Sequence, residues 1–215
     1  MNALQSNQPP DALMLLGTHC PHCPTILQGL GNLLKSGVIG RLEVINIEAR
    51  PDVASKLGAR SVPWVRIGPF ELAGLRSENE FREWAQQASS GEGLTAYLKE
   101  LLSTGEIDKA RKLVNEESAG IDALLSAFAE ANTPLNTRIG ISAIMEDLEG
   151  SDLLNGITGR LGELTRHVDA RVRGDACHYL TLTGNKAVIP YIEPLLEDPD
   201  ENVRELAQES IAALD

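Results

Sequence analysis

The chain has 215 residues, 42% of them hydrophobic, enough to bury the core of one large or two small domains. Its aromatic content of 4% suits helix-rich packing by Leu, Ile and Ala better than a β-sandwich. A net charge of −12 with pI near 4.8 argues against non-specific binding to nucleic acid or an anionic membrane, and no run of about 18 apolar residues predicts a transmembrane helix.

The opening stretch, Met1-Asn2-Ala3-Leu4-Gln5-Ser6-Asn7-Gln8-Pro9-Pro10, lacks both the basic n-region and the apolar h-region of a signal peptide. It is expected to be a short disordered lead over residues 1–10. With three cysteines and no export signal, the expected compartment is the cytoplasm, where C-x-x-C is more often catalytic than a crosslink.

Leu13-Met14-Leu15-Leu16-Gly17 is short enough to be a buried strand. It runs into Cys20-Pro21-His22-Cys23, after which Ile26, Leu27, Leu30, Leu33 and Leu34 recur at helical spacing. The thiols therefore sit where a strand hands over to a helix. The expected helix begins at Cys20, with Pro24 costing it one hydrogen bond near its start. Arg41-Leu42-Glu43-Val44-Ile45-Asn46-Ile47-Glu48 alternates and carries β-branched residues, so it predicts a second strand, parallel to the first. Pro51 and Gly58 bracket a short helix. A third strand enters at Ser61-Val62-Pro63-Trp64-Val65-Arg66-Ile67-Gly68, and Glu71-Leu72-Ala73-Gly74-Leu75 is its expected antiparallel partner. Ser77 and Glu80 form a capping box for the next helix, whose Phe81, Trp84 and Ala85 share one face.

Two thiols three positions apart at a helix start can close a small disulfide ring. Unpaired backbone N–H groups and the positive end of the helix dipole favour a thiolate there. Zinc is the competing use of C-x-x-C, but structural zinc needs four ligands. The other candidates are Cys177, His19, His22, His167 and His178. A site from His19, Cys20, His22 and Cys23 would crowd four ligands into five residues. Redox chemistry is the stronger expectation, with zinc and an inert turn left open beside it.

The order β-α-β-α-β-β-α, with Cys20-Pro21-His22-Cys23 after the first strand, Ser61-Val62-Pro63 before the third and Gly74 beyond, resembles the thioredoxin superfamily over about residues 11–88. Cys20-Pro21-His22-Cys23-Pro24 is most similar to glutaredoxin-like protein disulfide oxidoreductases and to the N-terminal domain of alkyl hydroperoxide reductase flavoproteins. The Cys-Pro-His-Cys run also matches the periplasmic disulfide oxidases, but the element order leaves no room for their helical insertion. The resemblance implies Cys20 as the attacking thiol, Cys23 as the resolving thiol, and Pro21 and His22 as residues that tune the couple. It further implies a cis Pro63 beside the pair, with Val62 and Gly74 helping to bind an extended substrate, a simple β-bulge being the other reading of Gly74. His19 stands where thioredoxins carry an aromatic, and Met14 where they carry a buried acid. The proton that the acid would take from the resolving thiol would here fall to water or a histidine.

From about Gly91-Glu92-Gly93 strand signals vanish, and helices are expected over 95–102 and 107–114. A repeat follows when the chain is aligned on Arg138, Arg173 and Arg204, spaced by 35 and 31 residues. Three residues on come Ile141, Ala176 and Ala207; seven on come Met145, Leu180 and Ile211. Amphipathic helices over 121–131, 153–168 and 187–196 precede these, the last bent by Pro190 and Pro194. Helix pairs in which the second helix opens Asp-x-x-Val-Arg, as at Asp169 and Asp200, resemble HEAT repeats over about residues 118–215, which implies a solenoid with a protein-binding concave face; the other reading is that these helices only cap and stabilise the redox domain. The repeat arginines read as hydrogen-bond donors between repeats, and Cys177 as a buried small hydrophobe.

The expected architecture is an α/β thioredoxin fold over residues 11–90 followed by an all-α HEAT-like helical-repeat domain over 91–215. The expected function is thiol–disulfide oxidoreductase, acting on protein disulfides through Cys20 and Cys23. The residues show no metal or cofactor site, so the electron partner is another protein or glutathione. A non-enzymatic, redox-sensitive adaptor is the alternative.

Overall fold

The computed structural model describes residues 8–90, 93–117 and 119–214. Most of the expected lead, and Gly91 and Glu92 of the expected boundary, lie outside the described residues. The chain divides into two compact units, Met1–Gly93 and Leu94–Asp215.

The first unit is built on a four-stranded mixed sheet of order β2-β1-β3-β4. Strand β1 is Asp11–Leu16, β2 Arg41–Asn46, β3 Trp64–Ile67 and β4 Phe70–Ala73. β1 lies between two neighbours, parallel to β2 and antiparallel to β3. That central position is why it reads as an unbroken apolar run, with Ala12, Leu13, Met14 and Leu15 all buried. β2 is an edge strand and is correspondingly more exposed. β3 and β4 form an antiparallel hairpin.

Helix α1, Cys23–Lys35, packs its Ile26, Leu30 and Leu33 stripe into the core. Helix α2, Pro51–Lys56, stops at Gly58, whose φ of +64° is one that glycine adopts without strain. Helix α3, Glu78–Ser90, carries the expected cap: the Ser77 N–H donates to Glu80 Oε2 (2.8 Å), and the Glu80 N–H donates to Ser77 Oγ (3.3 Å). Its Phe81, Trp84 and Ala85 are buried. The chain is already tied at Pro10, whose carbonyl accepts from the Gly40 N–H (2.9 Å).

The second unit is helical among its described residues. It comprises α4 (Leu94–Ser103), α5 (Ile107–Glu116), α6 (Gly120–Ala129), α7 (Leu135–Asp147), α8 (Asp152–Gly156), α9 (Thr158–Leu164), α10 (Ala170–Thr181), α11 (Ile189–Ile192) and α12 (Glu201–Leu214). Two of the expected helices are broken. The 153–168 segment becomes α8 and α9, capped by the Ser151 side chain and divided after Gly156. The 187–196 segment becomes α11 between two 3-10 turns, because Pro190 and Pro194 each fit only the first turn of a helical piece.

The repeat has a shared local geometry. Asp169 and Asp200 accept from the N–H groups of Arg171 (2.9 Å) and Asn202 (3.0 Å) as helix caps, and Val172 and Val203 are buried. Arg173 Nη1 donates back to the carbonyls of His167 (2.8 Å) and Val168 (3.2 Å). Arg204 Nη1 does the same to Asp198 (2.7 Å) and Pro199 (3.2 Å). Arg173 also reaches forward along the chain, donating to both carboxylate oxygens of Asp198. The first repeat departs from this: Pro134 caps α7 without a side-chain bond, and Arg138 pairs with Asp175 of α10 (2.6 Å). Thus Arg138 donates to α10 and Arg173 to the segment ahead of α12, whereas Arg204 donates back to the carbonyls just ahead of its own helix.

Candidate redox site

β1 ends at Leu16, and the turn closes when the Cys20 N–H donates to the Gly17 carbonyl (3.3 Å). The helix then begins at Cys23, with His22 as N-cap, and not at Cys20 as the sequence suggested. Pro24 marks the difference: it occupies the first turn, where a missing N–H costs no hydrogen bond, so the expected loss does not occur. Cys20 consequently stands just ahead of the helix, facing its first amide. The Cys23 N–H donates to Cys20 Sγ (3.2 Å), which puts an unpaired helix-start donor on the sulfur.

Cys20 and Cys23 are joined as a disulfide, with Cα atoms 5.5 Å apart. Cys20 is half-buried, Cys23 is 3% exposed, and Pro21 and His22 are exposed. Cys20 is thus the more exposed of the two cysteines, and Cys23 is buried. The Met14 position is fully buried among apolar neighbours, paired with Val44 and Val65, so no carboxylate stands there.

The Val62–Pro63 peptide bond is cis. A Cβ on Gly17 would lie 3.2 Å from Val62 Cγ2 and 4.0 Å from Cys20 Cβ, so the loop carrying Val62 and Pro63 borders the turn that carries the thiols. The Gly74 N–H donates to the Pro63 carbonyl (3.0 Å), tying the end of β4 to the same loop. Gly74 has φ of +86°, and a Cβ there would meet, among the described residues beyond its chain neighbours, no atom within 4 Å, leaving open space above it. Cys20, Cys23, Val62, Pro63 and Gly74 therefore gather at one end of the sheet.

A second group at that end was not singled out from the sequence. Glu48 Oε1 accepts from the Thr18 N–H (2.9 Å), Asn46 Nδ2 donates to Thr18 Oγ1 (3.2 Å), and the Glu48 N–H donates to Asn46 Oδ1 (2.9 Å). Hydrogen bonds from Thr18, its side chain foremost, hold the Glu48 carboxyl below its ordinary value, with a smaller contribution from His19. The available signal was the parallel pairing itself, which carries the ends of β1 and β2 to the same edge.

Among the described residues, no group of three or more His, Cys, Asp or Glu side chains is placed to hold a metal ion. Cys177 belongs to the second unit, fully buried against Ser210 Oγ (3.4 Å), and burial pushes its thiol up. His167 accepts from the Asp169 N–H (3.1 Å), a structural role. No described helix is long and apolar enough to cross a membrane. Comparison with protein-family models finds none that matches the chain, and comparison with curated proteins finds no match either.

Proposed function

We propose that the first unit is a thioredoxin-like domain and that the protein is a thiol–disulfide oxidoreductase, with the second unit a HEAT-like module that binds or positions protein partners. The observation that carries this reading is the asymmetry of the dithiol. Cys20 is the more accessible sulfur and faces a helix-start N–H, while Cys23 is bonded to it from a buried position.

The chemistry follows from that asymmetry. In the reduced protein the Cys20 thiolate attacks a substrate disulfide, forming a mixed disulfide and expelling one substrate sulfur as thiolate. Cys23, deprotonated, then attacks Cys20 Sγ, expels the second substrate thiolate and closes the Cys20–Cys23 bond. Two electrons leave the dithiol, and the two substrate sulfurs take up protons. A dithiol protein or two glutathione molecules restore the reduced form. Val62, Pro63 and Gly74 are the proposed substrate-binding residues, because their loop borders the Cys20 turn and leaves space beside Gly74. Pro21 and His22, exposed between the sulfurs, are the proposed tuning residues.

The two units differ sharply in charge. Residues 94–215 hold 22 acidic and 11 basic side chains, which leaves a net of only −1 on the first 93. A partner of the helical module is therefore expected to be basic. Insulin reduction by the full chain, with dithiothreitol or glutathione as donor, tests the enzymatic reading. Turnover that falls to background in Cys20→Ser and in Cys23→Ser supports it. Equal rates in the wild type and both variants would leave the adaptor reading.

A further inference from the structure

We infer that Glu48 is a positioning residue of the dithiol, clamping the turn before Cys20 through Thr18 and setting the couple's redox equilibrium by its negative charge. The inference deepens the thiol–disulfide reading and rests on it.

The geometry begins with strand register. Leu16 of β1 stands opposite Asn46 of β2 in parallel pairing. Continuing that register by two residues brings Thr18 level with Glu48, and there the two hydrogen-bond: the Thr18 N–H donates to Glu48 Oε1 (2.9 Å). Asn46 braces both partners, donating to Thr18 Oγ1 and accepting from the Glu48 N–H. The clamp thus holds Thr18, two residues ahead of the attacking sulfur.

The carboxylate is also close to the chemistry. The point where a Gly17 Cβ would stand is 3.4 Å from Glu48 Oε1, 3.2 Å from Val62 Cγ2 and 4.0 Å from Cys20 Cβ. Glu48, the Val62 loop and Cys20 converge on the space beside Gly17, where a Cβ would be tight only against Val62. Glu48 is a carboxylate at neutral pH like any exposed glutamate, and the Thr18 hydrogen bonds favour that charged form further. A fixed negative charge beside Cys20 opposes the thiolate, and so opposes the reduced form and favours the disulfide. It works against the helix-start N–H that stabilises the thiolate. With Met14 in place of a buried acid, Glu48 brings a carboxylate to this turn from the end of β2.

The test is the equilibrium constant of the full-length protein with glutathione for wild type, Glu48→Gln and Glu48→Asp. Gln keeps an acceptor oxygen for Thr18 and deletes the charge, whereas Asp keeps the charge on a shorter arm. For a separation of roughly 7 Å and the near-water screening of an exposed carboxylate, an effective dielectric of about 40–80, Coulomb's law sets the change at about three- to sevenfold toward the reduced form in Glu48→Gln. Glu48→Asp should stay closer to wild type than to Gln. A wild-type constant in Glu48→Gln overturns the inference, and so does an equal shift in Asp and Gln, which would reduce Glu48 to a steric clamp. Absence of insulin turnover by the wild type would instead overturn the enzymatic reading, leaving this constant measurable.

Discussion

Replacing Asp198 by Ala should be the most costly single charge deletion in the helical unit. Its side chain is 4% exposed, and that of Arg173 is 12% exposed. The carboxylate accepts from Arg173 Nε (2.6 Å) and Nη2 (2.7 Å), and from the Asp200 N–H (2.9 Å). Alanine leaves two guanidinium donors and one amide unsatisfied. Breaking a buried pair in this way costs about 3–5 kcal/mol. Arg173 keeps its bonds to the His167 and Val168 carbonyls, which favours the lower end, about 3 kcal/mol. In a unit of this size that lowers the melting temperature by roughly 10 °C. Far-UV circular dichroism on heating, with a urea titration, measures it. The pair Arg173→Met/Asp198→Leu should recover most of the loss, since apolar packing can replace a buried ion pair. Arg41→Ala, which breaks the exposed pair with Glu43, should cost less than about 1 kcal/mol. The pair also predicts acid sensitivity. Arg173 holds the Asp198 carboxyl below its ordinary value, and Arg171 holds Asp169 down to about 2. Carboxylates with depressed folded values contribute fully above the unfolded value of about 3.9, and the contribution is lost as pH falls toward 2. A loss on Asp198→Ala no larger than that of Arg41→Ala would refute the assignment of a buried ion pair that staples α10 to the segment ahead of α12.

His22→Gly should lower the reduction potential by roughly 10–30 mV, because an exposed donor beside Cys20 stabilises the thiolate modestly; equilibration with glutathione measures it, and an unchanged value removes the tuning role. In the reduced native protein, Ellman's reagent should titrate two of the three cysteines, with Cys177 reacting only after denaturant is added. A third reactive thiol without denaturant would contradict the burial of Cys177. Residues 1–93 expressed alone should fold and keep Cys20–Cys23 exchange, since β1–β4 and α1–α3 enclose their own buried core. An unfolded fragment by circular dichroism would show that the helices beyond Gly93 complete that core.

Elements whose cause is local were legible before the structure. The Ser77/Glu80 capping box, the Gly58 stop and the unbroken apolar run of β1 each announce themselves within a few residues. The same local signals were misread where a stronger one stood beside them. Pro24 can occupy only a first turn, so it places the helix start near Cys23, yet the thiols drew the start to Cys20. Asn155-Gly156 and Pro190/Pro194 likewise break helices that apolar periodicity alone runs together. What stayed hidden depends on register. Thr18 meets Glu48 only because Leu16 pairs with Asn46, and a slip of one residue would have pointed Glu48 to the other face. The repeat arginines were recognisable by spacing, but spacing could not tell that Arg138 would choose Asp175 while Arg204 turns back to its own loop.

The most direct measurement of the central claim is capture of the exchange intermediate. Reduced Cys23→Ser protein is mixed with a disulfide-containing peptide, quenched with acid, and mapped by mass spectrometry. The account predicts a stable mixed disulfide on Cys20, with none on Cys177, while Cys20→Ser forms little adduct under the same conditions. An adduct that forms on Cys23 in Cys20→Ser as readily as on Cys20 in Cys23→Ser, or no adduct in either, would contradict it.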